Sequence, residues 1–229
     1  MNSSYIYVVT HPVELALPIY PMNCLSDAEN KRMESFTQRR HRDQYYLSHV
    51  ILRIILGKHM KCDPKAIDIV SNTFGKPYIR DSPEFQFNLS HTDGAIALGI
   101  ANNFVGVDIE NTSSRSFPEE LYSRIFTEEE KSSLFSKKAS WRSRLAFRYW
   151  TRKEAIAKAD GRGLSLDFRK IQTAIWVAGK YEAPGYCDGR TWFISSERHG
   201  DWIWSIASLE PSTNIVVQYP DWRVFIDPA

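Results

Sequence analysis

Two segments of the chain set carboxylates and a lysine at spacings that suit a hard divalent cation facing a phosphate. In Val105-Gly106-Val107-Asp108-Ile109-Glu110 the acids stand two apart within a β-branched run. A strand turns successive side chains to opposite faces, so Asp108 and Glu110 share one face and Val105, Val107 and Ile109 fill the other. In Trp150-Thr151-Arg152-Lys153-Glu154-Ala155-Ile156-Ala157-Lys158 a glutamate and a lysine stand four apart in a strong helix-forming stretch, one turn from each other on one face. Carboxylate oxygens on rigid elements suit Mg²⁺, which keeps coordination positions open for water and substrate phosphates. Each pattern alone also describes a solvated strand face, or a surface ion pair worth about a few tenths of a kcal/mol.

A third segment raises the chemical reading. Gly75-Lys76-Pro77 reads as a turn in which proline fixes the backbone and the lysine projects. Phe87-Asn88-Leu89-Ser90-His91-Thr92 ends a short apolar strand with hydrogen-bonding side chains at its tip. Ser90 and His91 make a poor hydrolase dyad, because strand neighbours point to opposite faces and no G-x-S-x-G elbow surrounds the serine. Phosphate binding is the better reading.

The order of these motifs resembles the 4′-phosphopantetheinyl transferases of the surfactin-synthetase-activating type, whose pattern runs G-K-P, F-N-[LI]-S-H-[ST], G-[VI]-D-[IV]-E, then W-[TS]-x-K-E-[AS]-x-x-K-x-x-G-x-G-L. Here these stand at Gly75 to Pro77, Phe87 to Thr92, Gly106 to Glu110, and Trp150 to Leu164 with Gly161 and Gly163. The resemblance implies Mg-dependent transfer of the phosphopantetheine arm of coenzyme A to a serine of an acyl or peptidyl carrier protein, with release of adenosine 3′,5′-bisphosphate. It implies Mg²⁺, or Mn²⁺ in its place, on Asp108, Glu110 and Glu154. Catalytic roles fall to Glu154 and Lys158, the lysine contacting the coenzyme A phosphates. Further coenzyme A contacts are implied for Lys31, Arg42, Arg53, Lys76, Pro77, Ser90, His91 and Lys153, with His91 at the 3′-phosphate. The chemistry agrees: in-line attack at phosphorus asks for positioning and charge neutralisation, which a metal and lysines supply. The carrier serine must lose its proton, to Glu154 or to a water on the metal, and both routes stay open.

One position departs from the family pattern. Relatives commonly carry an arginine nine residues before the one that Arg53 matches, where this chain has Gln44. Arg42 lies two residues earlier, and Lys31 matches a basic position further upstream. Arg42 or Arg53 is expected to compensate, or coenzyme A to bind more weakly.

With 229 residues, 43% apolar, the chain can bury a full core as one large domain or two small ones. A net charge of 29 − 27 = +2 is too small to imply a nucleic-acid binder. The charge is unevenly spread: Lys137 to Lys170 holds eleven Lys/Arg against three Asp/Glu, and Asp108 to Glu130 holds two against seven. A basic helix beside an acidic metal site suits a polyanionic cofactor and an acidic protein partner, though a basic run is also an ordinary solubilising face. Cys24, Cys62 and Cys187 show no metal spacing and cannot all pair, which points to a reducing cytoplasm. The start, Met1 to Thr10, reads as a strand and not as a signal peptide, and no apolar run reaches membrane length. Apart from His91, the histidines read as surface or capping residues.

The elements that must position these residues form a hidden repeat. Phe87, Ser90, Gly94, Ile100 and Ala101 recur as Phe193, Ser196, Gly200, Ile206 and Ala207, each 193 − 87 = 106 residues on. Both sets read as hairpins, and each follows a long basic helix, roughly Arg39 to Met60 and Trp141 to Ala159. The expected class is α+β, two similar halves (1–105 and 106–229) joined near 102–112. The family's pseudo-twofold build agrees and puts the active site in the cleft between them; a pseudo-dimer in one chain is expected to act as a monomer. Thr127 and Glu130 form a capping box opening a helix, so the glutamates there serve the helix dipole. Phe117, Leu121 and Ile125, after the polar loop from Asn111, read as core more than as carrier contacts. Two other functions share parts of the pattern. A metal-dependent phosphodiesterase needs neither Gly-Lys-Pro nor Asn-Leu-Ser-His. A non-catalytic carrier-binding relative would lack an acid or Lys158, and all four are present.

Overall fold

The computed structural model describes residues 3–11, 23–173, 184–211 and 214–226, so the first two residues of the expected amino-terminal strand lie outside it. Five α-helices are α1 (Asp27–Glu34), α2 (Arg39–Met60), α3 (Tyr122–Ile125), α4 (Glu128–Phe135) and α5 (Ala139–Asp160). The strands of the first half are β1 (Ser3–Thr10), β2 (Ile69–Ser71), β3 (Pro77–Ile79), β4 (Gln86–Thr92) and β5 (Ala95–Ala101). Those that follow are β6 (Val105–Asn111), β7 (Gln172–Thr173), β8 (Gly185–Cys187), β9 (Arg190–His199), β10 (Trp202–Ser208) and β11 (Asn214–Gln218). The class is α+β, as expected. Both long helices and both hairpins, β4–β5 and β9–β10, fall where the periodicity put them.

Two main sheets run in the orders β11-β1-β5-β4 and β6-β10-β9-β8-β7. They lie face to face between the two long helices, and the alternation in β5 explains how. Ile96, Leu98 and Ile100 point to α2 and join a core with Leu47, Val50, Ile51 and Leu56. Ala95, Ala97 and Ala101 point the other way, onto Val105, Val107, Ile109, Trp204 and Ile206 of the second sheet. Small residues on one strand against β-branched residues on the other let the sheets come close. A β-carbon on Gly99 would lie 2.5 Å from Val107 Cγ1.

The second sheet meets α5 more tightly still. A β-carbon on Gly106 would lie 2.1 Å from the Ala155 carbonyl oxygen and 2.3 Å from the Ala159 backbone nitrogen. Glycine on the strand facing alanines on the helix allows backbone to rest on backbone. Helix α5 then stops at Gly161, whose φ of +92° lets the left-handed cap form and whose N–H donates to the Ala157 carbonyl. The Thr127–Glu130 capping box is present, and Phe117 and Ile125 are core residues. The reading of the histidines needs correction: His11 is buried, and His59 shares a 2.7 Å hydrogen bond with the Tyr7 hydroxyl.

The chain crosses back over the expected division at 105/106. β11 pairs in parallel with β1, Ser3 opposite Asn214 through Tyr7 opposite Gln218, and Phe225 enters the core under α2.

Because backbone cannot yield to a methyl group, Gly106→Ala should cost about 2–3 kcal/mol by overpacking, a fall of roughly 5–10 °C in Tm. A thermal melt within a degree of the wild type would show that α5 does not rest on β6 in this way.

Candidate active site

The close contact at Gly106 sets the register of α5 against β6 and brings three motif segments together. Asp108 stands two residues on from Gly106, and Glu154 and Lys158 flank the alanines that touch the glycine. Ser90 arrives from β4 on the other sheet. Its Oγ donates to Asp108 Oδ1 at 2.9 Å. Lys158 Nζ donates to the same oxygen at 2.7 Å and to Ser90 Oγ at 2.9 Å. Beside them Asn88 Oδ1 accepts from the Val107 N–H at 2.8 Å, tying β4 to β6 where no strand ladder joins them.

The charge balance of this cluster is acidic. Asp108 and Glu154 are buried, and Glu110 is partly so. Burial, then the neighbouring Asp108 carboxylate, push the Glu154 carboxyl up to about 7 against the pull of Lys158, with Glu110 adding a smaller push. Burial and Asp108 raise Glu110 too, although it accepts from Trp150 Nε1 at 3.0 Å and faces Arg115 at 3.4 Å. Asp108 Oδ2 is buried with no hydrogen-bond partner. Among the described residues no group of three or more acidic, histidine or cysteine side chains is placed so that it could hold a metal ion. A buried carboxylate oxygen without a partner, beside two carboxyls raised first by burial and next by Asp108, is nevertheless chemically suited to a hard divalent cation.

His91 is exposed on the strand face opposite Ser90. Its pKa is lowered, first by desolvation at its ring and next by the Lys158 cation. Pro77 opens β3, partly buried. Lys31 is exposed in the last turn of α1, and Arg42 Nη2 donates to the Phe36 carbonyl at 2.9 Å. The Nε2 of Gln44 is buried without a hydrogen-bond partner.

Three of the cations implied by the resemblance have protein partners in this structure. Arg53 is buried in α2; its Nε donates to Glu29 Oε2 at 2.6 Å and its Nη1 to the Pro64 and Ile67 carbonyls. It cannot stand in for the arginine that Gln44 replaces. Lys153 is fully buried, paired with Glu130 at 2.7 Å and donating to the carbonyls of Ile125, Phe168 and Ile171. Lys76 does not project: its Nζ donates to the Ala159 carbonyl at 2.8 Å and the Val105 carbonyl at 3.2 Å. It thereby satisfies the end of α5 from the first half, and burial pushes its pKa down to about 8.

The residues not singled out as functional include Trp150, Arg115 and Asn88, which orient Glu110 and β6. Trp150 and Asn88 sat inside the quoted motifs, but nothing in the sequence distinguished their roles. A buried hydroxyl chain also went unread: Thr151 Oγ1 meets Ser205 Oγ at 2.8 Å, Ser205 Oγ meets Ser196 Oγ at 2.8 Å, and Arg152 donates to Ser196 at 3.0 Å. Ser205 is the strand partner of Asp108, so the chain pins α5 one turn before Glu154.

Two outcomes test this geometry. With its pKa raised from 4.5 to about 7, Glu154 keeps its proton in the folded state after the unfolded chain has released it. Stability therefore falls as pH rises from about 4.5 to about 7, by on the order of 3 kcal/mol. Glu154→Gln should gain stability relative to the wild type between pH 5 and pH 8 without metal; parallel melting curves across that range would refute the crowding of charge. Lys153→Met should strand the buried Glu130 carboxylate and cost about 3–5 kcal/mol. A stable variant with weakened coenzyme A binding would instead return Lys153 to the ligand site.

Residues 104–207 match the model of the 4′-phosphopantetheinyl transferase superfamily, and residues 18–102 match that of the 4′-phosphopantetheinyl transferase N-terminal region. The chain is 30% identical over 174 residues to 4′-phosphopantetheinyl transferase Sfp of Bacillus subtilis, covering 71% of this chain and 77% of that one. It is 34% identical over 146 residues to 4′-phosphopantetheinyl transferase HetI of Nostoc sp., covering 62% and 61%. A partial likeness extends to the crystal structure of Thermotoga maritima holo-[acyl-carrier-protein] synthase, with 25% identity and a TM-score of 0.38 over 46% of this chain and 62% of that one. The acids, serine and lysine gathered on β4, β6 and α5 thus lie within two consecutive family matches, and the chain belongs to the 4′-phosphopantetheinyl transferase superfamily.

Proposed function

We propose that this transferase moves the 4′-phosphopantetheine arm of coenzyme A onto a serine of an acyl or peptidyl carrier protein, with a divalent metal, and releases adenosine 3′,5′-bisphosphate. The observation that carries the reading is the meeting of Ser90, Asp108 and Lys158 beside the raised carboxyl of Glu154. Asp108 through its unpartnered Oδ2, Glu110 and Glu154 would hold the ion. When bound, Mg²⁺ would supply charge neutralisation on the pyrophosphate.

The chain's own residues account for the rest. Lys158, a quarter exposed at its side chain, faces the cleft from a turn beyond Glu154 and can meet the phosphate charge that builds on the leaving group. Ser90 fixes the direction of the ammonium by accepting from it and donating to Asp108. The carrier serine oxygen forms its bond to the phosphorus of the phosphopantetheine phosphate as the bond to the adenosine bisphosphate oxygen breaks. Its proton needs an acceptor, and Glu154 is the carboxyl placed to take it where it does not hold the ion. His91 and Lys31, exposed on the first half, are the side chains left open to the 3′-phosphate, together with the remaining donors of Arg42.

The test is mass spectrometry of an apo acyl carrier protein incubated with this protein, coenzyme A and Mg²⁺. A gain of about 340 Da on the carrier, abolished by chelator, is expected. Asp108→Asn should lose the transfer by roughly a hundredfold or more while retaining its fold. Transfer undiminished in chelator or in Asp108→Asn would overturn the metal assignment. In Glu154→Gln, lost transfer with a retained Mg²⁺-induced rise in Tm would assign the glutamate to the proton, and loss of both would assign it to the ion.

A further inference from the structure

Both oxygens of Glu110 are engaged by the chain itself. Oε1 accepts from Trp150 Nε1 at 3.0 Å, and Oε2 accepts from Arg115 Nη2 at 3.4 Å. The neighbouring Asp108 differs: Lys158 and Ser90 both donate to its Oδ1, and its Oδ2 has no partner. An ion approaching these acids meets an open oxygen on one carboxylate and an occupied pair on the other.

The two donors on Glu110 are unlike. Trp150 brings no charge and is firmly packed, its ring stacked on Phe168 at 5.4 Å and lying 6.1 Å from Phe117. A neutral indole N–H orients a carboxylate without contesting it with a cation. Arg115 brings a full positive charge on a side chain that is 61% exposed, against 16% for Glu110. A guanidinium and a divalent ion on the same carboxylate repel each other, and the exposed partner is the one able to leave. Pairs with one member in solvent hold weakly, so its departure costs little.

The backbone brings Arg115 to this place. At the end of β6, Asn111 Oδ1 accepts from the Ser113 and Ser114 N–H groups at 2.9 and 3.1 Å and turns the chain back toward Glu110. The Thr112 N–H donates to the Asp201 carbonyl at 2.8 Å. The N–H of the buried Phe117 donates to Ser143 Oγ at 2.8 Å. Between these two anchors Arg115 leaves Glu110 by turning its side chain outward, and its backbone stays beside the acids.

We propose that Arg115 is a resident counter-ion that the divalent cation displaces from Glu110, so that this loop residue sets how tightly the ion is held. The proposal rests on the transfer reaction above and concerns the same acids. The pair stabilises the ion-free chain and is broken in the loaded one. By linkage, what it contributes to the free protein is subtracted from the affinity for the ion.

The test uses the full chain and compares Arg115→Ala with Arg124→Ala, which removes the same charge from an exposed position on α3. Mn²⁺ alone is the probe for binding, its free fraction read by electron paramagnetic resonance. Thermal melts are run in chelator and in saturating Mg²⁺. Arg115→Ala should lower the Kd for Mn²⁺ by about threefold and lower Tm in chelator by about 1–2 °C. The deficit in Tm should vanish in saturating Mg²⁺, and Arg124→Ala should leave the Kd as it is. An unchanged Kd in Arg115→Ala, or a deficit that persists in Mg²⁺, would overturn the proposal. So would an equal tightening in Arg124→Ala, which would reduce the effect to overall charge. A wild type that takes up no Mn²⁺ would sink the metal assignment and this inference with it. A wild type that binds Mn²⁺ with the expected response to Arg115→Ala and transfers nothing would sink the reaction and leave the role of Arg115 standing.

Discussion

The contact between Gly106 and the alanines of α5 is the constraint on which the rest of the structure depends. A strand can approach a helix so closely only if neither presents a β-carbon larger than a methyl group at the crossing. Once that distance is fixed, side chains two residues along the strand and one residue along the helix have little freedom in where they meet. Asp108, Glu154 and Lys158 are gathered by that proximity. Asn88 and Ser90 extend the same economy to the neighbouring sheet, since the first bonds β6 backbone and the second bonds the aspartate.

The electrostatics follow from that placement. Three acids and one ammonium share a half-buried space, where burial and then the Asp108 carboxylate disfavour the ionisation of Glu110 and Glu154. The fold stores this disfavoured arrangement because packing at Gly106, the hydroxyl chain from Thr151 to Ser196 and the Trp150 bond to Glu110 hold the acids in place. The acids thus hold a locally unfavourable arrangement within a firm scaffold.

Much of this was legible in the residues themselves. Period-two and period-3.6 patterns located β6, α2 and α5, and the offset of 106 residues located both hairpins. The alternation in β6 placed both acids on one face. What the sequence hid was the destination of the long cations. Lys76 and Lys153 lie inside quoted motifs and Arg53 at a position matched to a family arginine, and in one dimension all three look like Lys158. Their ammonium or guanidinium groups go to Glu29, to the end of α5 and to Glu130, because those buried acceptors come from segments 24, 83 and 23 residues away, which only the tertiary fold brings near. Orphan carbonyls at a helix end accept from a lysine just as a phosphate does, and residue type does not separate the two.

The parallel pairing of β11 with β1 carries a consequence for how the molecule is made. The strand that flanks β1 is translated more than 200 residues after it, so the first sheet leaves the ribosome with that edge bare. Its partner emerges only after both long helices and the whole second sheet have been synthesised. Nascent chains must therefore leave that edge of β1 unpaired until β11 has been made, and the first sheet is completed only after the second.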